Sequence, residues 1–97
     1  MAIWMAASAT KYQIVQVGTK LTSSDLVHAC SYRTRREDYR EAERLLPKSE
    51  FSALTFETTP TKYICVLDGK DMQKVSDRFR LMGGVLQVTY AEHIVEK

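Results

Sequence analysis

Long apolar runs, glycine-rich loops, clustered histidines and a clear charge excess are all missing from this 97-residue chain. Each absence removes a class of function. Only two cysteines occur, Cys30 and Cys65, too few for a disulfide framework. Cys65 lies inside the apolar run Tyr63–Leu67, where a buried thiol is the default, so reduced thiols and a cytoplasmic location are expected. The four glycines, Gly18, Gly69, Gly83 and Gly84, make no phosphate-wrapping pattern and read as turn or cap residues. The two histidines, His28 and His93, stand far apart, with no Cys-x-x-Cys and no His-x-x-x-His. A zinc site needs about four converging ligands, so neither a metal nor a cofactor is expected.

Catalytic patterns are equally scarce. There is no G-x-S-x-G elbow. Ser24 and Asp25 read as helix-capping residues, and His28 and Cys30, two apart, face different ways on a helix. Asp68, Asp71 and Glu92 read as capping or solvated carboxylates. No catalytic residue is assigned. The net charge of +2, from 14 basic and 12 acidic residues, is small for a dedicated nucleic-acid binder. No segment is long enough to span a bilayer. Ala7-Ser8-Ala9 resembles a signal-peptidase site, but no basic residue precedes it and the apolar stretch before it is short. A signal peptide is not expected.

What is present is a pattern of elements. A single domain is expected over 1–97, with an N-terminal segment 1–10, a core 11–90 and a tail 91–97. Lys11–Val17 carries the β-formers Ile14, Val15 and Val17 and reads as a first strand closed by Gly18. Thr22-Ser23-Ser24-Asp25 reads as a capping box opening a helix that buries Leu26, Val27 and Cys30. The later apolar positions, Tyr39, Ala42, Leu45 and Leu46, are out of phase with that cluster, and Thr34-Arg35-Arg36-Glu37 repeats the capping pattern. A break near Ser31–Thr34 is therefore expected, with Pro47 ending the second piece. Phe51–Glu57 and Lys62–Leu67 read as a hairpin around Pro60. Met72, Val75, Phe79 and Met82 form the stripe of a second helix, stopped by Gly83-Gly84. Val85–Tyr90 is the last strand.

This order, strand–helix–strand–strand–helix–strand, is that of an α+β, ferredoxin-like βαββαβ sandwich. It predicts an antiparallel four-stranded sheet in the order fourth, first, third, second, helices on one face, and a first helix that is kinked or split. The closing run Gly84-Val85-Leu86-Gln87-Val88 resembles many ferredoxin-like regulatory and chaperone domains, a resemblance confined to the last third of the chain.

Fold alone does not name a function. Two features suggest a surface. Arg33, Arg36, Arg40 and Arg44 recur at helical spacing with Tyr32 and Tyr39 nearby, a composition suited to phosphate or to a protein hot spot. Glu37, Asp38, Glu41 and Glu43 offset most of that charge, with Arg33–Glu37, Arg40–Glu43 and Glu41–Arg44 as expected pairs. From Tyr63 to Leu67 the third strand is apolar at every position, so its outer face needs a cover: the N-terminal segment with Trp4, a second copy, or another protein. Tyr63 and Cys65 are placed on that outer face.

The function expected from these features is a small non-enzymatic binding module acting through a protein partner. An inhibitor or adaptor, such as a phage-encoded inhibitor of a host defence system, has this size. The partner-binding candidates are Arg33, Arg36, Arg40, Arg44, Tyr32, Trp4 and Tyr63. A homodimer through the open sheet face is the expected assembly. The alternative is a nucleic-acid (RNA) binding domain using the arginine helix; Tyr12 and Tyr63 occupy strand positions where RNA-recognition domains stack bases.

Overall fold

A computed structural model describes residues 1–90. The chain runs β1 (Ala2–Met5), α1 (Lys11–Thr22), β2 (Val27–Arg33), α2 (Arg35–Leu45), α3 (Lys48–Phe51), β3 (Thr61–Leu67), α4 (Met72–Phe79) and β4 (Val85–Thr89), with a 3-10 turn at Gly69–Asp71. The sheet order is β2-β3-β1-β4 and each neighbouring pair is antiparallel. This is the α+β, ferredoxin-like arrangement, with the strand order expected. The residues that build its first half are not the ones expected.

Residues 1–10 contain the central strand β1, whose Ile3 and Met5 are fully buried. Residues 11–17 belong to helix α1. Thr10 caps α1 in a box with Gln13, and Ile14, Val17 and Leu21 fall on its inner side. Val15, counted as a β-former, is exposed. Gly18 sits within this helix because the Tyr63 hydroxyl, donating to the Ile14 carbonyl at 2.9 Å, occupies the space a side chain would need.

The expected helix at Leu26–Cys30 is the edge strand β2. Its structure comes from pairing with β3, with Cys30 opposite Cys65 and Tyr32 opposite Tyr63. The expected break near Ser31–Thr34 is the point where strand turns into helix. There Thr34 caps α2, accepting from the Glu37 N–H while the Glu37 carboxylate accepts from the Thr34 N–H at 2.8 Å. Pro47 separates α2 from α3.

Phe51–Glu57 is not a strand. Phe51 closes α3, and Thr55, Thr58 and Thr59 satisfy one another and local backbone: the Thr59 hydroxyl donates to the Thr55 carbonyl at 2.7 Å. Such local bonds compete with a sheet ladder. The hairpin partner of β3 is thus β2, and residues 34–60 form a helical insertion between them.

From residue 61 onward the structure follows the sequence closely. Val75 and Phe79 of α4 are buried, Met72 and Met82 pack beside them, and Gly84 adopts φ +87° at the turn into β4. The core lies between α1, α4 and one sheet face, formed by Ile3, Met5, Val17, Leu21, Cys65, Leu67, Val75 and Phe79. Burial of those side chains supplies the main folding force. Tyr63 and Cys65 therefore face the helices; Ile64 and Val66 point outward. The expectation had this parity reversed, because a run apolar at every position carries no alternation to read.

Candidate functional site

The outward face of the sheet is where the insertion bears. Register aligns Arg33 of β2, Lys62 of β3, Trp4 of β1 and Gln87 of β4 in one cross-strand row. The Lys62 ammonium lies 4.3 Å from the centre of the Trp4 ring, and the Trp4 indole N–H donates to the Thr89 hydroxyl at 3.0 Å. Helix α2 packs over this row through charge. Arg33 donates to Glu41 at 2.6 Å and lies 3.6 Å from Asp38; Lys62 lies 3.8 Å from the same Asp38 oxygen.

The insertion has a small aromatic centre of its own. Tyr39 meets Phe51 at a tilt and Phe56 edge-on, with ring centres 5.1 and 5.7 Å apart. Arg35 ties it to the rest of the domain, donating to the Ala7 carbonyl at 2.8 Å and to the Glu57 carbonyl at 3.3 Å. Between insertion and sheet a groove of about 310 Å³ remains open. Its walls are Trp4, Ala42, Leu45, Leu46, Leu54 and Pro60, with Asp38, Glu41 and Lys62 as polar groups. Leu45 is 62% exposed at its rim. Large side chains left wet beside an apolar cleft are the mark of an interaction site.

Asp38 is the unusual group here. The residue is only 8% exposed, yet neither carboxylate oxygen accepts a hydrogen bond. Burial pushes its carboxyl above the ordinary carboxylate range, and Lys62 and Arg33 only partly oppose this. Glu37 shows the opposite. Hydrogen bonds from the Thr34 backbone and side chain hold its carboxyl below the ordinary value.

The structure distributes the sequence candidates over three places. Trp4 lines the groove. Arg33, Arg40 and Arg44 gather with Glu37 and Glu41 along the outer side of α2, while Arg36 is not among them. Arg33 belongs to β2, so the four arginines are not one helical stripe, and its partners are Asp38 and Glu41 instead of Glu37. The Glu41–Arg44 pair is present at 3.7 Å. Tyr32 and Tyr63 stack on the helix side of the sheet at 4.9 Å, and burial raises the Tyr63 phenol above its ordinary value. Tyr12, on α1 and not on a strand, has no place in a base-stacking sheet. The leucines of the insertion were missed as site residues. Their signal is the pair Leu45-Leu46 beside Pro47, which the sequence assigns to the apolar positions of the second helical piece.

His28, on β2, sits 3.3 Å from Asp68 in an exposed pair; His93 and Glu92 lie outside the described residues. Among the described residues no three His, Cys, Asp or Glu side chains converge as metal ligands, and no helix is long and apolar enough to cross a membrane. Cys30 and Cys65 form a disulfide across β2 and β3. The expectation of reduced thiols fails, because residues 35 apart in sequence are direct cross-strand neighbours once β2 and β3 pair.

Among curated proteins no relative matches the chain. A family model described as the FtsX extracellular domain matches residues 1–97. That match overturns the cytoplasmic location, and the disulfide accords with the correction. It equally overturns the inhibitor or adaptor reading, phage-encoded or not, and the RNA-binding alternative, since the family is a domain of a membrane cell-division protein. Two cysteines and a near-neutral charge could not reveal a compartment. A protein partner is compatible with this family. The match spans the whole chain, and the chain belongs to the FtsX extracellular-domain family.

Proposed function

We infer that this domain is a non-catalytic docking platform outside the membrane, and that its groove receives an apolar segment of a protein partner. The observation that carries the reading is the groove between the sheet row and the insertion, lined by Trp4, Ala42, Leu45, Leu46, Leu54 and Pro60. Binding there withdraws exposed leucines from water at roughly 25 cal/mol per Å² of apolar area. The insertion is a lobe added to an otherwise complete sandwich, so evolution can vary it without cost to the core. Arg40 and Arg44, on the outer side of α2, would meet acidic groups at the rim of the contact.

A photo-reactive residue placed at Leu45 in cells of the source organism is expected to form an adduct with one extracellular protein. The same residue at Leu86, exposed on β4, is expected to form none. Leu45→Asp with Leu46→Asp should remove the adduct while leaving the thermal midpoint unchanged. Equal adducts at both positions would refute the reading.

A second copy is the other candidate partner, favoured by Ile64 and Val66 on the open face, the latter 61% exposed. Sedimentation at high micromolar concentration decides it; a mass of one chain refutes a dimer.

A further inference from the structure

Asp38 sits beneath the groove, more than nine-tenths buried, with two oxygens that accept no hydrogen bond. Its cationic neighbours stand at 3.6 and 3.8 Å, too far for a good charge-assisted hydrogen bond. Buried carboxylates are ordinarily satisfied, and an unsatisfied one costs free energy. Arg33 is held by Glu41 at 2.6 Å and is anchored to β2. Lys62 is the movable neighbour, an ammonium on a four-carbon stem resting on Trp4.

We propose that Asp38 is the specificity-determining acceptor of the groove, and that it takes the N–H or O–H of a neutral aromatic side chain, a tryptophan or tyrosine, presented by the protein partner. The inference rests on the docking reading above. Three observations set the chemistry. The apolar walls call for a large apolar body, and about 310 Å³ admits an indole. The buried acceptor calls for one donor on that body, as a buried tryptophan or tyrosine itself requires a partner. The local charge calls for a neutral donor: Arg33, Arg44 and Lys62 already outnumber Asp38 and Glu41. On binding, the Lys62 ammonium gives way and the ring meets Trp4, in edge-to-face or offset contact.

The probes are indole, 1-methylindole, 3-methylindole and benzylammonium, titrated into the full chain and followed through the amide signals of Ala42, Leu45, Leu54 and Lys62. Indole and 3-methylindole should shift these signals with similar affinity. 1-Methylindole, an isomer of 3-methylindole that lacks the N–H, should bind about tenfold more weakly than that isomer, the scale of a hydrogen bond to a charged acceptor. In Asp38→Ala the preference for 3-methylindole should vanish. The comparison within the native chain needs no variant to fold. Equal affinity of 3-methylindole and 1-methylindole in the native chain overturns the role of Asp38 and leaves the groove reading standing. Tighter binding of benzylammonium than of indole overturns the neutral donor. Absence of any shift in the groove, with all four probes, overturns both readings together.

Discussion

Removing the Cys30–Cys65 bond should lower the stability of this domain by about 4 kcal/mol. The bond joins residues 35 apart and closes a loop that contains the whole helical insertion. In the chain-entropy account, a loop of that size removes roughly 13 cal/mol/K from the unfolded ensemble, or about 3.8 kcal/mol at 25 °C. A domain of this size unfolds with an entropy of roughly 0.2 kcal/mol/K, so the midpoint should fall by about 20 °C. The bond spans the boundary between core and surface. Cys65 is 3% exposed, whereas Cys30 is exposed on the edge strand, so reductant can reach the bond without global unfolding. The test is thermal unfolding followed by far-ultraviolet circular dichroism, comparing the oxidised chain, the same chain in reductant, and Cys30→Ala with Cys65→Ala. The reduced chain and the double variant should melt together, well below the oxidised chain. Hydrogen exchange should then show α2 and α3 opening before β1 and α4, because edge strand β2 keeps pairing on one side alone. A midpoint shift of less than about 5 °C in both would refute the loop-closure argument.

Gly18→Ala should destabilise by about 1–3 kcal/mol despite alanine's better helix propensity, because the new methyl lies 2.6 Å from the Tyr63 hydroxyl; a raised denaturant midpoint would refute this, and adding Tyr63→Phe should recover part of the loss. Asp38→Asn tests the buried carboxyl. Its folded value is raised, so the native chain should lose stability as pH rises from the ordinary aspartate value of 3.8 through that raised value, and the variant should lack this loss in denaturant midpoints measured across the window. Glu37 titrates in the opposite sense: its contribution is present above the ordinary 4.5 and fades as pH falls through its lowered value. Thr34→Ala keeps the larger backbone bond and removes the side-chain one, so it should raise that carboxyl part of the way towards 4.5 in an NMR titration, and an unchanged value would refute the side-chain contribution.

Local chemistry determined the last third of the chain and the ends of α2. The stripe Met72, Val75, Phe79 and Met82 can be buried only as a helix, Gly84 tolerates the positive φ that ends it, and Thr34 with Glu37 starts α2 wherever that helix is placed. Pro47 forces the junction that follows. These signals act over three or four residues and need no distant partner. The order of elements, and with it the sheet order, matches the expectation although two of the four strands lie on other residues, because few topologies accommodate that order.

The first half depended on distance. Residues 11–22 carry both Val15–Val17, spaced for a strand, and Ile14, Val17 and Leu21, spaced for a helix; burial of Val17 and Leu21 under β1 and β3 decides for the helix. Strand β2 has little alternation and exposed side chains on both faces, so only the ladder to β3 makes it a strand. The same ladder brings Cys30 to Cys65 and sets Ile64 and Val66 outward. The groove depends on it as well. Trp4, Lys62 and Asp38 are scattered in sequence, and they meet only when an antiparallel register aligns two strands and folds the intervening insertion back across them. Amino-acid order alone thus specified the short-range caps, stops and apolar stripes, while long-range hydrogen bonding and burial, which have no local signature, decided which strand is which, which face is wet, and where a partner can sit.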